Sequence, residues 1–160
     1  MRTRLLRCVM MVVSAGVLFA GIATAGEADV AGVKKAVADF HVALNVMFTG
    51  DAAPMKAMWS HADDITYMGP MGEFHVGWKE IGPIWDEQAA KKLGGKVGVA
   101  DLNVTAGPDV GVATYYEKGE NVVNGKVEPV SIRTTTSFRK ENGAWKVIGH
   151  HTDLLPYLVK

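Results

Sequence analysis

What constrains this chain most is a change of texture at Gly94-Gly95. Beyond it, "KVGVADLNVT", "VGVATYYEKGENVV", "KVEPVSIRTTTSFRK" and "AWKVIGHHT" follow one another, separated by "AGPD", Asn124-Gly125 and Asn142-Gly143. Asn-Gly supplies the positive φ angles that tight hairpins need, so the spacing predicts a four-strand antiparallel meander. Before the glycines the periods are helical. Val30, Val33, Val37, Phe40, Leu44 and Met47 recur at threes and fours, which predicts one amphipathic helix over 28–48. Asp51 can cap a short second helix through Trp59, with Pro54 in its first turn. "ITYM", 65–68, has strand composition, and "GPMGEFHVG" reads as a loop or small hairpin. In "WKEIGPIWDEQAAKKL" the Gly82-Pro83 pair predicts a loose first turn and regular helix only from Pro83. Helices followed by a meander make an α+β fold, a sheet whose apolar face is closed by helices. Such a sheet commonly leaves a pocket beneath it.

The first 25 residues stand apart. Arg2, Arg4 and Arg7 precede a run free of charge that ends in Ala23-Thr24-Ala25, the pattern of a secretory signal cleaved after Ala25. The expected organisation is therefore a signal peptide over 1–25 and a single domain over 26–160, working in the periplasm or secreted, with no membrane attachment after cleavage. Cleavage removes three arginines and no acid from a formally neutral chain. The mildly acidic remainder has no basic patch for a phosphate backbone, which argues against nucleic acid as a partner. Cys8 is the only cysteine and leaves with the signal, so the domain must rest on its apolar core rather than on a disulfide.

Chemistry is sought at the end of the meander, where His150 and His151 are adjacent. Neighbours on a strand point to opposite faces. A two-residue turn at Asn142-Gly143 sets Phe138 opposite Val147 and Thr134 opposite His151, and puts these on the more apolar face with Ile132 and Val130. His151 is then the inward histidine and His150 the outward one. A one-residue bulge at the turn gives a second register, with Arg133 opposite Asp153 and Arg133 and Thr135 on the face of Trp145 and His151.

"RTTTSFRKENGAWKVIGHHTD", with "MWSHADDITYMGP" and "GWKEIGPIWDEQA" upstream, resembles the SnoaL-like (DUF4440-type) branch of the NTF2-like superfamily. Arg133, Thr135, Arg139, Lys140, Gly143, Trp145, Lys146 and His151 occupy the matching places, while Asp153 stands where that pattern has a serine. The resemblance implies an NTF2-like cone, with N-terminal helices on a strongly curved antiparallel sheet around an internal pocket, often a homodimer built through the sheet. Activity varies across that superfamily, so function has to come from the site.

In such a pocket His151 is the candidate acid or base, with Tyr67, Tyr115 or Tyr116 as a donor to a developing oxyanion, only one of the adjacent Tyr115 and Tyr116 being able to face it. Tyr67 and Trp85 are expected as walls, Thr134 beside the histidine, Asp64 at the mouth, and Arg133 in the pocket under the bulged register. The histidines show no metal-motif spacing, no nucleotide loop or other cofactor signature occurs, and no serine sits in a nucleophile elbow. Methionines and tryptophans suit a small apolar or aromatic ligand. Three functions are open: a binding protein, an acid/base enzyme of the isomerase, cyclase or dehydratase kind, and a dimeric interaction protein using outward Arg133, Arg139 and His150.

Overall fold

The structure, a computed structural model, describes residues 26–159. The expected signal segment lies outside the described residues. In chain order the elements are α1 (Glu27–Met47), α2 (Ala53–Met58), β1 (Thr66–Met68), β2 (Phe74–Val76), α3 (Trp78–Ala90), β3 (Lys96–Ala106), β4 (Val110–Val123), β5 (Lys126–Glu141) and β6 (Ala144–Thr152). Among the described residues no helix is long and apolar enough to cross a membrane.

Each boundary has a local cause. The backbone N–H of Ala53 donates to Asp51 Oδ1 at 2.9 Å, yet α2 starts one residue later than a cap at Asp51 requires: its N-cap is Ala52, with no side-chain capping bond. Asn124 and Gly125 sit at φ 53° and 78°, Asn142 and Gly143 at 50° and 81°, so both Asn-Gly pairs form the tight turns that make the last three strands consecutive hairpins. A second boundary differs from expectation: α3 starts at Trp78 and runs unbroken through Pro83. Pro83 and Lys79 are both exposed, so the carbonyl that loses its helical donor faces water and the break costs little.

The strands form one six-stranded sheet in the order β2-β1-β6-β5-β4-β3. β1 joins β6 in parallel, which makes the sheet mixed rather than wholly antiparallel. β1 and β2 form the small hairpin. The helices cover the concave face. Val33, Val37 and Phe40 of α1, Trp59 after α2, and Ile81 and Trp85 of α3 pack against Phe138, Val147 and Ile132 of the sheet. Fully burying a side chain of this kind contributes about 1.5–3 kcal/mol, so this interface is the main source of stability. At its upper end Trp145 lies so close to α1 that only a glycine, Gly32, leaves room for the indole.

The register of the last hairpin corrects the expectation for both histidines. From Glu141↔Ala144 to Phe138↔Val147 the pairing follows a two-residue turn, but Ser137 then pairs with Gly149 and Thr136 with His150. Ile148 is an extra residue in β6, a bulge in mid-strand rather than at the turn. One extra residue reverses the alternation beyond it. Val147 and His150, three apart, therefore both face inward, His150 is 6% exposed, and His151 is turned out to solvent.

Candidate functional site

Between helices and sheet lies a small cavity that opens to solvent. Its walls are mostly apolar or aromatic: Phe40 and Leu44 from α1, Tyr67 from β1, Trp85 from α3, Val130 and Ile132 from β5. Tyr67 and Trp85 meet edge to face, ring centres 4.9 Å apart, and Tyr67 lies parallel to His150 with centres 6.1 Å apart. Leu155 and Leu158 complete the wall from the segment after β6. That segment is tied down where Leu155 N–H donates to the Pro70 carbonyl at 2.9 Å and the Tyr157 hydroxyl donates to Asn121 Oδ1 at 3.2 Å.

Three titratable side chains meet at the polar side of this space. His41 comes from α1, four residues after Val37 on the buried stripe; Glu117 comes from β4, two after the inward Tyr115; His150 follows the bulge on β6. Each is nine-tenths or more buried. Glu117 Oε1 lies 3.4 Å from His41 Nε2 and 3.8 Å from His150 Nε2, so one carboxylate stands between two imidazoles.

The hydrogen-bond pattern orients both rings. His41 Nδ1 lies 2.9 Å from the Val37 carbonyl. A carbonyl only accepts, so Nδ1 carries the hydrogen. His41 Nε2 then faces Glu117 Oε1, and neither atom has a hydrogen-bond partner. A neutral His41 would set a lone pair against a carboxylate oxygen; a proton on either atom turns that opposition into attraction. For His150, Nδ1 is 2.9 Å from Thr136 Oγ1, itself 2.8 Å from the Tyr115 hydroxyl. With neutral His150, Tyr115 donates to Thr136 and Thr136 donates to Nδ1, which leaves the hydrogen on Nε2, 3.8 Å from Glu117 Oε1.

Electrostatics agree with that assignment. Burial pushes His150 down to about 4, and the neighbouring His41 and His151 add to the fall, while the Glu117 charge opposes it. Burial also holds the Tyr67 and Tyr115 hydroxyls well above their ordinary value, reinforced by Glu73 and Glu117 at Tyr67 and by Glu117 at Tyr115. Both phenols stay protonated near neutrality and can only donate or accept hydrogen bonds. The cluster sets two imidazoles and a carboxylate side by side in a buried site that borders the cavity.

The structure separates the sequence-expected residues into two sets. Tyr67 and Trp85 line the cavity; Tyr115 faces inward and reaches it through Thr136 and His150; Thr134 is buried on the same face, its hydroxyl without a partner. His151, Arg133 and Asp64 lie elsewhere. Arg133 is on the outer face with His151 and is held bidentately by Asp153, Nε to Oδ2 at 2.8 Å and Nη2 to Oδ1 at 2.9 Å. Asp64 is exposed and bound to Arg139 Nη1 at 2.7 Å; that guanidinium also bonds Glu141, an ion-pair network on the surface. Among the described residues no three His, Cys, Asp or Glu side chains converge closely enough to hold a metal ion.

Sequence reasoning missed Glu117 and His41, and both had a signal. Taking Tyr115 as inward places Glu117 inward too, and His41 falls on the stripe between Val37 and Leu44. His150 had none, because nothing in "WKVIGHHT" marks Ile148 as a bulge.

Helices laid over a curved, unclosed sheet, with a cavity whose polar groups come from both layers, define an NTF2-like cone. A family model described as a SnoaL-like domain matches residues 33–155, and the chain belongs to that family. Among solved structures it is similar to a proposed dehydratase of the NTF2-like family from Streptomyces avermitilis, with TM-score 0.70 and 19% identity over 81% of this chain and 99% of that one. It is similar too to a proposed aromatic ring hydroxylase from Novosphingobium aromaticivorans, with TM-score 0.69 and 17% identity over 82% and 92%. A proposed calcium/calmodulin-dependent protein kinase II association domain from Xanthomonas campestris shares the fold at TM-score 0.62 and 22% identity, over 88% and 99%. At these identities the likeness is one of fold. No curated protein matches.

Proposed function

We propose that this protein binds a small, largely apolar or aromatic molecule inside the cone, and that it does so after export, in the periplasm or outside the cell, as a homodimer joined through the sheet. The observation that carries the reading is the cavity itself: mostly aromatic and apolar walls that include a few polar side chains, Glu117, Gln88 and His150, the make-up of a ligand pocket. The dimer is supported by Val110, Val112 and Tyr116, which leave apolar surface exposed on the outer face of β4.

Native mass spectrometry of the chain from Gly26 onward, set beside a Val130→Trp variant that fills the cavity, tests the reading. A dimer carrying extra mass, lost in the filled variant, is the expected result. Bare protein in both forms, with no small aromatic probe bound by the wild type, would sink it.

A second reading, an acid/base enzyme of the isomerase, cyclase or dehydratase kind, is favoured by one specific observation, the His41–Glu117–His150 cluster. It requires turnover that Glu117→Gln and His150→Ala both abolish while the fold survives.

A further inference from the structure

We propose that the ligand is a single-chain amphiphile, an alkyl chain ending in a carboxylate, whose tail enters the cavity while the rest of the chain lies in a groove outside it and the head meets Lys91. The inference rests on the binding reading and names the class of molecule that reading leaves open. It starts from a second concavity on the surface, lined by Met71, Lys91, Val122, Val123, Tyr157 and Val159. Leu93 and Leu158 line both this groove and the cavity, so the two spaces adjoin at these side chains.

The groove leaves apolar surface in water. Val122 and Val159 are exposed, and so is Val127, which pairs with Val122 across the β4–β5 hairpin. Covering such a patch is favourable for whatever covers it. An occupant confined to the small cavity would leave the groove wet, whereas a chain long enough to pass Leu93 and Leu158 is covered in both. A compact ring fills one of the two spaces. An alkyl chain, narrow and free to rotate at each bond, runs from one into the other.

Charge selects the head. Lys91 is the one charged residue in the lining of the groove. Its ammonium donates to Met71 Sδ at 3.0 Å, a weak acceptor that a carboxylate oxygen would displace. A neutral head gains no charge pairing there, and a cationic head is repelled.

Isothermal titration of the chain from Gly26 onward at neutral pH, with hexanoate, octanoate and decanoate below their micellar concentrations, tests both spaces together. Affinity is expected to rise about threefold to fourfold per methylene, the gain from burying each added carbon. 1-Octanol should bind roughly twofold to fivefold more weakly than octanoate, and octyltrimethylammonium more weakly still. Lys91→Gln should bring octanoate down to octanol. Val122→Asp, at an exposed position, should flatten the rise with length, and Val130→Trp, inside the cavity, should weaken all three acids. A wild-type series indifferent to length, octanol or the ammonium binding tighter than octanoate, or a rise that Val122→Asp leaves unaltered overturns the inference. A change of oligomeric state in Val122→Asp with the series intact would make the groove a contact between copies, and co-sedimentation with anionic phospholipid vesicles that octanoate does not reverse would make it a membrane-facing surface; either overturns the inference too. Binding of 4-ethylphenol, a compact ring, without binding of any alkyl probe overturns the inference and leaves the cavity reading standing. No binding by any probe overturns both.

Discussion

The two faces of the β5–β6 hairpin are built from nearly the same side chains and behave as different materials. On the inner face Thr134, Thr136, His150 and Thr152 are buried, and the Tyr115 and Thr136 hydroxyls are drawn into a chain that ends on the His150 imidazole. On the outer face Arg133, Thr135, His151 and Asp153 meet water, and their strongest contact is the Arg133–Asp153 fork. Two adjacent histidines thus fall into opposite regimes: one kept neutral by burial, the other exposed on the outer face. What divides them is one inserted residue, Ile148. Residue type did not decide which histidine could do chemistry; strand parity did.

The sharpest way to break the contrast is to place a carboxylate at each histidine in turn. His150→Asp sets a second acid beside buried Glu117, and a loss of about 4 kcal/mol or more is expected in denaturant unfolding. His151→Asp lies on the solvated face and should stay within about 0.5 kcal/mol. Equal losses at the two positions would show that the bulge does not divide the faces.

Acid should come next. His150 stands at about 4 folded against 6.5 free, so as pH falls the unfolded chain takes up this proton before the folded one does. Its effect on stability is therefore absent above about pH 7 and grows as pH drops from 6.5 toward 4, reaching roughly 3 kcal/mol of destabilisation there. Measured unfolding free energy against pH should show this slope in the wild type and a shallower one in His150→Phe. A slope that survives the substitution would assign the sensitivity to other groups.

Substituting the two histidines separately gives a smaller but cleaner reading. His150→Ala empties a buried site and removes the partner of Thr136, for an expected cost of about 2 kcal/mol. His151→Ala touches only the solvated face and should stay within about 0.5 kcal/mol, with ligand binding unchanged. Smallest of all is Asp153→Asn, which weakens an exposed pair by about 0.5 kcal/mol or less, an effect that salt should erase in the wild type. A large loss from either outer-face change would mean that this face works as an interface rather than as a solvated surface.

Much of this was legible in the amino-acid order. The helical stripe and both Asn-Gly turns are local matters, settled by residues within a turn of each other, and these elements form where the pattern places them. Tyr67, Trp85 and Thr134, read as inward, are buried in the structure. The site escaped where non-local geometry intervenes. His41 and Glu117 lie far apart in sequence and become a cluster only once α1 lies across β4. Ile148 is an ordinary strand residue whose neighbours on β5 and β1 alone determine that it has no partner. The parallel docking of β1 beside β6 likewise has no short-range signature. Family resemblance carried the fold, and the bulge then withdrew the histidine that it had brought forward.

A different consequence attaches to the segment that follows β6. Leu155 and Leu158 help enclose the cavity, yet they belong to a single turn near the chain terminus, tethered at Pro70 and Asn121. Segments with so few anchors open at a small part of the cost of global unfolding. For an occupant held as proposed, affinity and residence time would have separate authors: the aromatic walls would set how tightly it is held, and the opening of this one turn is expected to set the clock for its exchange.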